Sequence, residues 1–149
     1  MKIEGRAVWR ALCTLLAAGL AFGCASGPPS PPELCLSIEA SPNLNLFDGE
    51  PHVVVAYFYP LRNMMAFRQS DADELLSGKR PPGMTGDVWE TTVMPGAYRE
   101  LRETLPRDTQ FVGILADFYK GPSRAIVEAE CPTFGKPSVV LSASDVQAK

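Results

Sequence analysis

A lone histidine, an acidic cluster, a pair of late cysteines and one cysteine behind an apolar leader are the residues here whose types could do chemistry. His52 is the only histidine. It follows Pro51 at the entrance to an apolar run, with no second imidazole to share a metal. A Ser/His/Asp relay would have to use it, and no serine lies in anything resembling a nucleophile elbow. His52 therefore reads as structural. Asp71, Asp73 and Glu74 invite a divalent cation, but they lack the glycine bend and terminal glutamate of a calcium loop. They sit where a helix would begin, and there the helix dipole favours negative charge. Cys35 could pair with His52 as a nucleophile, though in an exported chain Cys131 is the better partner. Gly-rich phosphate loops are absent. No reaction, cofactor or metal follows from these residues, and the expectation is a protein that is not an enzyme.

The remaining cysteine has a different chemistry. Lys2, Arg6 and Arg10 precede an uncharged apolar run from Ala11 to Phe22. That run is too short to span a bilayer and reads as a signal peptide over residues 1–23. Gly23-Cys24 fits a bacterial lipobox, in which a small residue precedes the cysteine. Ala21, three before the cysteine, departs from the usual leucine. The Cys24 thiol would take a diacylglycerol and its freed amine a third acyl chain. Two or more chains give stable anchoring where one is marginal. The partner expected at this end is membrane lipid.

Loss of residues 1–23 leaves 126 of 149 residues, enough for one domain with a real core. The whole chain has 14 basic and 17 acidic residues; the leader removes three and one, leaving 11 against 16, a net charge of −5. This balance argues against nucleic acid, which needs clustered Lys and Arg. It argues equally against a polybasic grip on lipid headgroups, so acyl chains must supply the membrane affinity. With Cys13 in the leader and Cys24 acylated, Cys35 and Cys131 remain. An oxidising compartment permits a disulfide between them; two separate buried thiols are the alternative.

These residues need elements to position them. Residues 24–33 hold the anchor cysteine and a Pro-rich tether, which tends to extended polyproline II. The folded domain is expected over 34–149. Leu34–Glu39 alternates as a half-buried strand. Ala40–Pro51 is rich in turn residues yet carries Leu44, Leu46 and Phe47, which either tuck beneath the loop or stay exposed for a partner. His52–Leu61 is apolar on both alternating faces and predicts a central, doubly covered strand. Ser70 reads as the N-cap of a short helix, with Asp73 three residues later and Gly78 closing it. Ala72, Leu75 and Leu76 would form its buried face. Pro95-Gly96 predicts a type II turn, as a hairpin or a tight corner, between Val88–Met94 and the highly charged edge strand Ala97–Thr104. Gln110–Tyr119, Arg124–Ala129 and Ser138–Ser142 complete about seven strands. The fold expected is all-β: an antiparallel β-sandwich with a short helical insertion between the second and third strands.

In order and spacing, these stretches resemble one family, the outer-membrane lipoproteins of type VI secretion systems, the TssJ (VasD/SciN/Lip) family. The resemblance spans about Leu34 to Ser142. Asn43 and Asn45 follow the first strand closely, and Tyr59-Pro60-Leu61 ends the second. Phe67, Asp71 and Leu75 match a phenylalanine leading into a short acidic helix. Pro95-Gly96 matches the corner, and Phe111–Phe118 matches a strand of the form aromatic-apolar-Gly-apolar-apolar-Ala-x-Phe. The resemblance implies a transthyretin-like sandwich, lipid-anchored on the periplasmic face of the outer membrane. Ala25 after Cys24, where aspartate would signal retention, agrees with outer-membrane sorting. It also implies binding to the periplasmic domain of the inner-membrane protein TssM through the loop Ser41–Glu50. In that loop Leu44, Leu46 and Phe47 would be apolar anchors, with Asn43, Asn45 and Asp48 as a polar rim. Two departures stand out: the Cys35/Cys131 pair is not a general family feature, and Cys131–Pro137 finds no clear counterpart. The competing expectations are a lipoprotein that binds a small ligand in an apolar pocket, and a periplasmic enzyme dependent on His52.

Overall fold

The computed structural model describes residues 30–149. The leader 1–23, Cys24 and the tether as far as residue 29 lie outside the described residues. Eight strands form two four-stranded sheets, packed face to face. β1 (Glu33–Ala40), β4 (Tyr98–Thr104), β7 (Ser138–Leu141) and β8 (Val146–Ala148) make the first sheet, in the order β4-β1-β7-β8. β2 (Val54–Leu61), β3 (Trp89–Val93), β5 (Phe111–Asp117) and β6 (Ser123–Glu128) make the second, in the order β3-β2-β5-β6. Alternation puts Leu34, Leu36 and Ile38 of β1 against Val54, Ala56 and Phe58 of β2 and Val112, Ile114 and Ala116 of β5.

The second sheet is covered on its outer face as well. Two short helices follow β2: α1 (Met64–Gln69) and α2 (Ala72–Leu76). Phe67 and Leu75 pack there on Tyr59, Leu61 and Leu115, with Ala72 and Leu76 beside them. This explains why β2 is apolar on both alternating faces. The helix caps differ from expectation. Ser70 ends α1, its hydroxyl donating to the Ala66 carbonyl at 2.8 Å. Asp71 caps α2, its carboxylate accepting from the Asp73 and Glu74 amides at 2.9 and 3.1 Å. A charged acceptor serves two orphan amides better than a hydroxyl already engaged. Arg124 ties the helices down, donating to the carbonyls of Phe67, Arg68 and Ser70.

Pro95-Gly96 is a corner that carries the chain from one sheet to the other. The Ala97 amide donates to the Met94 carbonyl at 3.1 Å and Gly96 has φ +71°, as a type II turn requires. β4 lies at a sheet edge, charged and exposed as expected. One pairing was not foreseen: β7 runs parallel to β1. β6 ends beside the start of β5, at the end of the molecule where the chain enters β1. The crossing from β6 to the first sheet therefore starts at that end, and β7 must run the same way as β1. The crossing segment loops out beside β1, where Cys131 and Cys35 join as a disulfide with Cα atoms 4.5 Å apart.

Candidate functional site

β1 leads from the chain's entry at Glu33 to Ala40, roughly 23 Å at ~3.3 Å per residue. The loop after β1 therefore lies at the opposite pole from the chain's entry at Glu33. Four connections meet there. The Leu46 amide donates to the Ala143 carbonyl of the β7–β8 turn, and the Gly96 amide to the Ser41 carbonyl. Asn45 adds the β5–β6 connection: its Oδ1 accepts from the Tyr119 amide at 2.7 Å, while its Nδ2 donates to the Val53 carbonyl at the far end of its own loop at 3.1 Å. Phe47 and Glu50 exchange both backbone hydrogen bonds around Asp48-Gly49, whose φ values are +51° and +80°. Two left-handed residues in succession make the two-residue turn that Asp-Gly favours. The loop is a braced projection.

The predicted loop residues divide into three roles. Leu44 is fully buried in the core between the sheets, held by the His52 amide on its carbonyl. It is a core residue and not an exposed anchor, because the turn that starts at Ser41 folds its side chain inward. Asn45 is a bracket with both ends of its amide engaged, so it is not a free rim residue. Asn43, Leu46, Phe47 and Asp48 stay accessible; Leu46 is 39 % exposed and Phe47 half-buried.

The structure adds residues that the sequence reading passed over. The Phe47 ring lies 3.8 Å from that of Tyr119, centroid to centroid and tilted by 38°, and Tyr119 itself is 64 % exposed. Val53, Met94 and Tyr98 are exposed beside the same loop. Five of the eight large apolar side chains that stay exposed among the described residues, Leu46, Val53, Met94, Tyr98 and Tyr119, thus gather at one pole. The sequence signal for Tyr119 was an aromatic at the very end of a strand, one step off its buried face. His52, exposed, lies near Phe47 at 6.0 Å between rings. Among the described residues no three His, Cys, Asp or Glu side chains gather as a metal site.

Ser123 and Asp145 hold the base of this pole. The Ser123 hydroxyl donates to Asp145 Oδ1 at 2.5 Å and its oxygen accepts from the Val146 amide at 3.2 Å, linking β6 to the start of β8. The Ser123 and Gln147 hydrogen bonds hold the Asp145 carboxyl below its ordinary range. On the outer face of the second sheet, burial and then the Glu90 and Asp117 charges push the Tyr57 phenol up. Tyr57 lines an open groove of about 230 Å³ between α2 and β3. A larger cleft of about 650 Å³, lined by Ser70, Asp71, Glu74, Lys79 and Arg80, is wide open and charged, unlike the mostly apolar sites that enclose small ligands. The loop pole is apolar and braced, features found where surfaces meet other proteins.

Comparison with known proteins agrees with this architecture. In crystal structures, the type VI secretion lipoprotein TssJ1 from Pseudomonas aeruginosa is similar at 20 % identity, covering 80 % of this chain and 95 % of that one, with a TM-score of 0.68. Lip from Serratia marcescens, a membrane-bound component of the type VI secretion system, is similar at 16 % identity over 80 % and 96 %, TM-score 0.67. A structure of the TssM C-terminal domain from EAEC is similar at 20 % identity over 79 % and 98 %, TM-score 0.67. At these identities the likeness is one of fold. No curated protein matches in sequence. The family model of the type VI secretion lipoproteins (VasD, EvfM, TssJ) matches residues 32–130, from the start of β1 to the end of β6, and takes in the β1–β2 loop, both helices and the Pro95-Gly96 corner. That span exceeds half of the chain, and the protein belongs to this family of secretion lipoproteins, which are not enzymes.

Proposed function

We propose that this protein is the outer-membrane lipoprotein subunit of a type VI secretion membrane complex. Acyl chains on Cys24 hold it to the periplasmic face of the outer membrane. Its loop pole binds the periplasmic domain of a TssM-like inner-membrane protein. The observation that carries this reading is the gathering of exposed apolar side chains around a braced loop, at the pole opposite the chain's entry, in a member of this family. Similarity to a structure of the TssM C-terminal domain adds support. Mechanically, the chain is an adaptor without turnover. The sandwich fixes the distance between the lipid-side entry and the docking loop, and the Asn45 bracket keeps that loop from paying an ordering cost on binding.

Leu46, Phe47 and Tyr119 are the anchors, and Asn43 and Asp48 form the rim. Anchors of this kind carry most of an interface's energy. The test is titration of soluble residues 25–149 with the periplasmic domain of the TssM-like protein from the same organism. Leu46→Asp, with its fold verified, should weaken binding by at least about 2 kcal/mol, roughly 30-fold. Unchanged affinity in the variant would remove the β1–β2 loop from the interface. Failure of the wild type to bind would overturn the adaptor reading.

A further inference from the structure

Among the described residues, Phe134 is the most exposed large apolar side chain, at 90 %. It lies midway along a strap, residues 131–137, that loops out beside β1 and is fastened to its outer face. Cys131 fastens the strap at one end through its disulfide to Cys35. At the other end the Pro137 carbonyl accepts from the Ser37 amide at 3.1 Å, and Lys136 Nζ pairs with Glu100 at 3.0 Å. The strap explains why Cys35 and Ser37 are buried although they point away from the core between the sheets. Among the described residues, nothing covers Phe134. The family match ends at residue 130, so the strap lies outside it.

The strap's place decides what covers the ring. Cys35 is two residues past Glu33, where the chain enters β1, so the strap sits in the tether half of the molecule. Eight residues lie between Cys24 and Glu33, nine Cα–Cα steps with a reach of at most about 30 Å when fully extended. An acylated Cys24 would keep this half of the domain close to the bilayer surface. Between Cys131 and Pro137 there is no acidic side chain to repel anionic headgroups, and two prolines stiffen the segment. An aromatic ring offered on a stiff, acid-free segment suits the headgroup boundary, where amphipathic and aromatic side chains settle.

We propose that the strap is a second membrane contact, with Phe134 entering the lipid interface beside the acyl anchor. The contact rests on the lipid-anchor reading. It gives the domain a defined orientation: the outer face of the first sheet turns toward lipid, and the loop pole is held away from it. Opposed to it would be a strap that packs against a protein partner.

The experiment uses the acylated full chain, purified after processing and reconstituted into phosphatidylethanolamine/phosphatidylglycerol vesicles with brominated acyl chains. Trp89 is the only tryptophan beyond residue 23, so wild type gives the background emission. F134W should lose about half of its added emission to the bromine, as an interfacial ring does, whereas Y119W at the loop pole should lose none. Equal, negligible quenching of both variants on vesicles that still carry the protein would overturn the proposal and leave the anchor intact. Failure of the protein to float with vesicles would overturn the anchor reading and this contact with it. F134W emission indifferent to brominated lipid but shifted by the TssM-like periplasmic domain would assign the strap to a protein and overturn the lipid contact.

Discussion

Gly113 has no side chain because Phe67 occupies the space. A Cβ added there would lie 2.7 Å from the Phe67 ring. We expect Gly113→Ala to lose about 1–3 kcal/mol, read as a lowered urea midpoint with unchanged slope, since the ring and α1 must shift outward. The glycine was visible in the sequence as a gap in an apolar strand; its reason was not, because it belongs to a contact 46 residues away in the chain. Leu44 is the counter-example. In sequence it is indistinguishable from Leu46, and only the inward turn at Ser41 separates a core residue from a surface anchor. Ser123 and Asp145 carry a pH prediction. The folded carboxyl titrates below its ordinary value of 3.8, so its contribution is fully present above that value and lost as pH falls through the depressed one. Ser123→Ala should move acid unfolding to higher pH and destabilise the neutral protein by about 1 kcal/mol, measured by denaturant melts at several pH values.

Among the elements, those with strong local signals were legible. β1 follows from alternation, β2 and β5 from dense β-branched and aromatic runs, the corner from Pro95-Gly96, and α2 from its acidic first turn and Gly78. α1 was missed because six residues carry less than two turns of periodicity, although Asn63 caps it through the Met65 amide at 2.8 Å. β8 has three residues and one buried side chain, too few to alternate. The parallel β1–β7 pairing depends on how the chain crosses between sheets, which no local pattern encodes. The strap belongs to this scale too. Its disulfide closes a loop of 96 residues, for which the chain-entropy model gives about 4–5 kcal/mol and measured cases typically about 2–4. Cys131→Ser should therefore lower the stability by a few kcal/mol without abolishing the fold, as thermal melts with and without reductant would show.

For the whole molecule, sequence indicated a sandwich, and the three-dimensional arrangement shows what lies at each of its ends. Chain entry, strap and β1 start lie in one half. The braced loop and its apolar neighbours lie at the far pole, across the length of β1. That polarity suits a protein asked to face lipid on one side and a partner on the other. What sequence could not supply was the gathering of apolar side chains at that pole, because Leu46, Met94 and Tyr119 sit on three separate connections, Tyr98 starts β4, and they meet only in the fold. The most direct test of the central claim is hydrogen–deuterium exchange of residues 25–149, free and bound to the TssM-like periplasmic domain. The account predicts protection over residues 41–53, 94–98 and 118–122, with the strap 131–137 and the turn 105–110 unchanged. Protection confined to the strap or to the 105–110 turn, with the loop pole exchanging as in the free protein, would contradict it.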